Sequence, residues 1–177
     1  MSYEIRAARP EDSGVIEEVR LATWRVAYRD IMPADFLAGL EVRPEIVRNR
    51  ADALAGGQVK GWVGVRDDVR GFALYGPSRD EDVPGMEVYA IYVLPEEFST
   101  GMGRALMASA VEDLAASGHR EAGLWVLAAN ARARRFYERF GFSLSGRSKM
   151  LPDPPLEEVH YRMDLTGGAR SGVPAGA

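Results

Sequence analysis

The chain has 177 residues, 46% of them apolar and 27% charged, which suits one soluble domain with a core of useful size. Twenty-two basic residues against 26 acidic ones give a net charge of −4, so the basic surface of a nucleic-acid binder is not indicated, and the absence of cysteine excludes disulfides and cysteine-ligated metals. No N-terminal apolar run reads as a signal peptide and no stretch reaches the ~18 apolar residues of a membrane span; no membrane partner and a cytoplasmic location are expected.

Taken in order, Tyr3 to Ala8 alternates as a first strand. Pro10-Glu11-Asp12 opens a helix that runs to about Arg29, with Val15, Ile16, Val19, Leu21, Ala22 and Val26 as its apolar face. Trp24 and Tyr28 lie one turn apart, either as core residues or with one of them lining a substrate pocket. After the break at Ile31-Met32-Pro33, short helices are expected over Ala34–Leu40 and Pro44–Ala55, with Arg43, Arg48 and Arg50 solvated. Val59–Arg66 and Val69–Tyr75 read as a hairpin turning on Asp67-Asp68. Gly76–Gly85 is a loop.

The most informative stretch runs from Glu87 to Arg104. Met86–Leu94 is a β-branched and aromatic strand stopped by Pro95. A loop with Gly101 and Gly103 follows, then a helix to Ser117 that ends at Gly118. The free amides and dipole of a helix start, reached through glycines, suit phosphate or pyrophosphate; a plain flexible strand-to-helix turn explains the two glycines equally well. Glu121–Leu127 is a buried strand, Asn130–Phe140 a helix closed by Gly141, and Phe142–Arg147 a strand. In the last strand, Glu157–Leu165, residues Val159, Tyr161, Met163 and Leu165 face one way. Residues 1–165 form one domain, and the Gly- and Ala-rich segment 166–177 is expected to be a mobile tail. The fold class is α/β: a mixed, mostly antiparallel sheet with helices on both faces.

Gly101 and Gly103 after a strand, then Asn130, Phe136-Tyr137 and Gly141-Phe142, match in order and spacing. On these residues, about 86 to 145, the chain resembles the GCN5-related N-acetyltransferase (GNAT) superfamily. In one respect it departs: the Gln or Arg usual three places before the first glycine is Phe98. The resemblance implies acetyl-CoA as co-substrate and direct transfer to a primary amine in a ternary complex. It also implies two parallel strands, Met86–Leu94 and Glu121–Leu127, splayed to admit the co-substrate. The backbone of Ile91, Tyr92 and Val93 would hold the pantetheine arm, and one strand amide, such as that of Val93, would polarise the thioester carbonyl. The loop Ser99, Thr100, Gly101, Met102, Gly103 and Arg104 would hold the pyrophosphate. Dimers are frequent in the family, so a homodimer is implied.

A lysine-like amine, with a pKa of ~10.4, is neutral in only about one molecule per thousand at pH 7, so a base is useful. Glu87 is read on the same strand face as Tyr89, Ile91 and Val93. Histone acetyltransferases of the superfamily use a glutamate at the matching position; an exposed strand-end acid is the other reading. Tyr137 matches the tyrosine that protonates the leaving thiolate in many members. Asn130 is a helix cap, a pantetheine partner, or both. Arg132, Arg134, Arg135 and Arg139 form a solvated face, or Arg134 or Arg135 meets the CoA 3′-phosphate. A small molecule or peptide is the expected acceptor, with Asp30, Asp35 and Asp153 as acids that would attract an amine. Two other readings stay open. One is a non-catalytic acyl-CoA sensor. The other is a Rossmann-like dinucleotide binder, disfavoured because Leu106 stands at the third glycine position.

Overall fold

The computed structural model describes residues 2–167. Seven strands form one sheet: β1 (Glu4–Ala7), β2 (Lys60–Arg66), β3 (Asp68–Pro77), β4 (Met86–Val93), β5 (Glu121–Leu127), β6 (Ser143–Met150) and β7 (Glu157–Asp164). Their order is β1-β2-β3-β4-β5-β7-β6, and every neighbouring pair is antiparallel except β4 with β5. The helices are α1 (Ser13–Ala27), α2 (Ala34–Ala38), α3 (Pro44–Ala55), α4 (Met102–Ala116) and α5 (Ala131–Phe140). The expected tail falls largely outside the described residues. Among the described residues no helix is long and apolar enough to cross a membrane.

One face of the sheet carries α4 and α5. The spacing Met102, Leu106, Met107, Ala110, Leu114 places one helical stripe, fully buried, against Ala73, Val88, Ala122 and Leu124. Val159, Tyr161, Met163 and Leu165 join this core, as their alternation predicts. Each Leu in that stripe contributes enough that truncation to Ala costs about 2–5 kcal/mol. The opposite face carries α1 and α3, with Ile16 and Val19 packed on Val63, Phe72 and Leu74. Beyond them, α1 and α2 cover the end of β5 through Tyr28, Met32, Leu37 and Leu127.

Several expectations need correction. Pro10–Asp12 is a separate 3-10 turn, and α1 starts at Ser13. Asp12 causes the break: its carboxylate accepts from the Arg9 amide at 2.7 Å and from both Arg6 guanidinium nitrogens at 2.8 Å. Val26 is exposed rather than on the buried stripe. The β2–β3 turn is tighter than two residues: Arg66 pairs with Asp68, and Asp67 alone takes a left-handed φ of 63°. β3 runs on to Pro77, and β6 extends to Met150 past an irregularity between Leu144 and Ser148. Arg50 is not solvated. It and Arg20 each reach the fully buried Glu17 carboxylate at 2.7 Å, clamping α3 to α1.

Candidate active site

The parallel pair β4–β5 is in register only at Met86–Ala122 and Glu87–Gly123. Beyond Glu87 the strands part, so the facing backbone groups of β4 have no strand partner there. The Leu94 amide donates to the Arg70 carbonyl at 2.8 Å, which makes Val93–Gly71 a non-hydrogen-bonded pair. Val93, and Ile91 two residues earlier, therefore turn their amides towards the gap. Tyr92 lies out of phase and directs its backbone to β3, so it does not bring a backbone group to the gap as the sequence suggests. The Val93 carbonyl accepts from the buried Thr23 hydroxyl at 3.0 Å, which fixes the end of β4 to α1.

The loop after β4 passes through a 3-10 turn at Pro95–Glu97, a left-handed Ser99 (φ 65°) and a left-handed Gly101 (φ 94°). A side chain at Gly101 would cost about 1–2 kcal/mol in that conformation. The Thr100 hydroxyl donates to the Glu97 carbonyl at 2.9 Å. The first α4 amide bonded back into the helix is Ala105, to Gly101 at 3.0 Å. The amides of Gly101, Gly103 and Arg104 thus have no intrahelical partner, at the positive end of a 15-residue helix. The Met102 side chain is buried, in space left by Gly64, where a Cβ would lie 2.7 Å from the Met102 sulfur. Its amide donates to the Thr100 hydroxyl oxygen at 3.4 Å. A Cβ on Gly103 would meet Phe136 (3.8 Å) and Val93 (4.0 Å) at ordinary contact distance, so this position lies between α5 and the end of β4.

Across the gap lies α5. Its basic, polar sequence still gives one apolar stripe, Ala133, Phe136, Tyr137 and Phe140, packed on the α4 core. The Asn130 side chain caps it, accepting from the Ala133 amide at 3.1 Å. Half-buried Tyr137 is held by rings of Phe136, Phe142 and Tyr161, with centres 5.5, 6.1 and 6.4 Å away. Burial, reinforced by nearby Tyr92, pushes its hydroxyl well above the usual tyrosine range, so it stays protonated. The Tyr92 hydroxyl meets that of Tyr28 at 3.1 Å, and Trp24 stands edge-on to both rings. Trp24 and Tyr28 are therefore packed residues, bordering the site through Tyr92. Arg134 is committed to the Tyr161 hydroxyl (3.0 Å) and the Ala128 carbonyl (3.1 Å), while Arg135 is exposed.

On the sheet face away from α4 and α5, a cavity of about 480 Å³ opens beside β4, β5, β6 and β7. Its walls carry five carboxylates (Asp80, Glu81, Asp82, Glu87 and Glu158) against two cations, Arg79 and Lys149, with Tyr89 and Trp125 as aromatic surfaces. Lys149 sits 4.1 Å from the Trp125 ring centre and 3.3 Å from Asp80. Glu87 is only 4% exposed, so it is not an exposed strand-end acid. Its two oxygens accept from the Arg79 guanidinium at 2.7 Å and the Arg79 amide at 3.0 Å.

Its predicted face also needs correction. Tyr75 pairs with Val88 and Leu74 with Ala90, leaving Tyr89 as an extra residue in a β-bulge. The bulge shifts the alternation: Val88, Ile91 and Val93 face the α4 core, whereas Tyr89, Ala90, Tyr92 and Leu94 face the α1 core. Glu87 points to the cavity with Tyr89, opposite to Ile91 and Val93. The acids named from sequence, Asp30, Asp35 and Asp153, are exposed and line no part of this cavity. Sequence reasoning missed Asp80, Glu81, Asp82 and Glu158. The run Arg79-Asp80-Glu81-Asp82 in the loop before β4 was the available signal.

A mixed sheet whose central parallel strands part beside a glycine-opened helix start, with a tyrosine across the gap, defines an acetyltransferase fold. The chain belongs to the acetyltransferase (GNAT) family, whose sequence model matches residues 20–142. It is 35% identical over 130 residues to YuaI, an uncharacterized N-acetyltransferase of Bacillus subtilis (strain 168), covering 71% of this chain and 72% of that one. The structure is similar to that of PaiA N-acetyltransferase from Thermoplasma acidophilum in complex with coenzyme A, at a TM-score of 0.74 and 20% identity over 93% of this chain and 99% of that one. It is also similar to the ribosomal-protein-S18-alanine N-acetyltransferase of Escherichia coli, at a TM-score of 0.69 and 15% identity over 96% and 98% of the two chains.

Proposed function

We propose that this protein moves the acetyl group of acetyl-CoA to a primary amine by direct attack in a ternary complex. The observation that carries the proposal is the parting of β4 from β5 after Glu87, with the free amides of α4 at one end of the gap and Tyr137 across it. The residues present fit acetyl-CoA. Ile91 and Val93 offer unpaired amides to the pantetheine arm, and Asn130 borders the same gap from the head of α5. The helix start, reached through Ser99, Thr100 and Gly101, offers amides at Gly101, Gly103 and Arg104 to the pyrophosphate, while the Met102 amide donates to the Thr100 hydroxyl oxygen at 3.4 Å. Bound there, the thioester supplies the acyl group. A strand amide such as that of Val93 stabilises the negative charge that develops on its carbonyl oxygen.

The acceptor enters from the acidic cavity on the other face. Its carboxylates favour the cationic form of an arriving amine, and one of them must then take a proton before nitrogen can attack. Glu87 lines that cavity, with Arg79 already on its oxygens. Tyr137, kept protonated by its surroundings, donates to the departing sulfur.

Calorimetric titration with acetyl-CoA, with NAD in parallel, tests the co-substrate. Binding of acetyl-CoA and none of NAD is expected. A screen of amines by free-thiol release then tests turnover. Failure to bind acetyl-CoA would reduce the assignment to one of family and fold.

A further inference from the structure

We propose that Glu158, rather than Glu87, is the carboxylate that takes the proton from the acceptor amine. The proposal rests on the acetyltransferase reading above. Glu158 lies on β7, opposite Leu127 at the end of β5 and opposite Lys149 on β6. Its neighbours Val159 and Tyr161 belong to the α4 core, so by alternation Glu158 projects to the cavity, whose wall it forms together with Glu87.

The two glutamates differ in their commitments. Glu87 already accepts hydrogen bonds on both oxygens from Arg79, which leaves it fewer free lone pairs than Glu158 with which to meet an amine. Among the described residues Glu158 has no hydrogen-bond or ion-pair partner. The titratable and charged groups near enough to interact with its charge are Lys149 from β6, Arg79 from the loop before β4, Glu87 and Tyr92 from β4, and Tyr28 just after α1. Burial pushes its carboxyl above the ordinary glutamate range; Lys149 and Arg79 oppose this and Glu87 reinforces it. A raised carboxyl is the better base near neutral pH.

Position completes the argument. Glu158 is near enough to Tyr28 and Tyr92 to disfavour ionisation of either hydroxyl. Tyr137 acts on the same pair from the side of the gap. The tyrosine pair is thus within electrostatic reach of both the proposed base and the proposed acid. In the step itself, the ammonium gives one proton to the Glu158 carboxylate, and the freed lone pair forms the C–N bond. The C–S bond breaks, and its electron pair leaves on sulfur, which takes a proton from Tyr137. The nitrogen loses a second proton that restores the tyrosine through water. Glu158 returns its proton to solvent, so the net products are amide, thiol and one proton.

The test uses the full chain with acetyl-CoA and four probe amines: lysine, 1,4-diaminobutane, an alanyl dipeptide and kanamycin. Thiol release is followed against pH for wild type, E158Q, E158D and E87Q, each checked for fold by circular dichroism. With the best probe amine, E158Q is expected to lower kcat/KM by about 10²-fold or more and to lose the acidic limb of the pH profile. E158D should restore part of the rate, and E87Q should change KM while keeping the acidic limb. Independently of turnover, carbon-13 NMR of glutamate-labelled protein, with the Glu158 signal identified by its loss in E158Q, should show a midpoint above the ordinary value of ~4.3. A midpoint at or below that value, or an E158Q enzyme within threefold of wild type with its acidic limb intact, overturns the role of Glu158 alone. A wild type that binds acetyl-CoA but acetylates none of the probes overturns the transfer reading and the base with it.

Discussion

The guanidinium carbon of Arg132 lies 3.8 Å from the centre of the Phe98 ring, so the loop ahead of α4 is stacked on the first turn of α5. Phe98 occupies the place where the family usually has a Gln or Arg. Here the ring ties the loop to α5 instead of offering a polar group to a ligand. A partly exposed cation–π contact is worth about 0.5–1 kcal/mol, or roughly two- to fivefold in affinity. Phe98→Ala and Arg132→Ala should each weaken acetyl-CoA binding by about that factor. Because they remove the same contact, the double variant should be little weaker than either single one. Calorimetry on the four proteins checks this, and fully additive losses would refute a shared contact.

Tyr137→Phe keeps the ring packing against Phe136, Phe142 and Tyr161 and removes only the proposed proton donor. We expect kcat to fall by about 10²-fold, in the range of general acid catalysis, with acetyl-CoA affinity changed less than twofold. Steady-state rates beside calorimetric affinities separate these quantities. An equal fall in both would make Tyr137 a binding residue.

Glu17 links acid resistance to helix packing. Burial alone would raise its carboxyl, but hydrogen bonds from Arg20 and Arg50 more than offset this and hold it below the ordinary glutamate range. Its folded pKa is depressed, so its contribution to stability is present above the unfolded value and is lost as pH falls through the folded one. Glu17→Gln leaves two guanidinium groups without their anion and should cost about 3–5 kcal/mol at pH 7. The gap between wild type and variant should narrow in acid, below the ordinary glutamate range. Denaturant curves at several pH values give the comparison, and a gap independent of pH would contradict it.

Thr23→Val preserves shape and deletes the hydroxyl that donates to the Val93 carbonyl. The carbonyl would be left without that donor in a buried setting, at a cost of about 1–3 kcal/mol. The same change frees the end of β4, so acetyl-CoA affinity should fall as well. Unchanged affinity with lowered stability would mean that the strand end holds its position without α1.

Much of the fold was legible because periodicity reports burial directly. The α4 stripe and the β7 alternation both describe faces that do pack, and Asn130 and Gly141 mark the two ends of α5. The glycine loop was legible for a related reason: a glycine loop at a helix start is local in sequence. The acidic cavity was not, because it is assembled from a loop, β4, β5, β6 and β7, whose relative register no single segment encodes. Glu158 illustrates this. Alternation of Val159 and Tyr161 already places it on the far face, but only the pairing of β7 with Leu127 and Lys149 brings it beside Glu87. Arg50 was misread for the same reason, since its partner Glu17 is 33 residues away.

The extra residue at Tyr89 makes strand parity a property to be measured rather than counted. An alignment that steps back by twos from the glycine loop assigns Glu87 to the face of Ile91 and Val93, and so to the wrong side of the sheet. With the bulge, residues of one parity reach both faces: odd-numbered Ile91 and Val93 after it turn to the α4 core, while odd-numbered Glu87 before it turns to the acidic cavity. A one-residue deletion at Ala90 would remove the bulge and restore strict alternation with each side chain on its present face, so the strand could lose that residue while Glu87 stays on the side of the sheet opposite Ile91 and Val93.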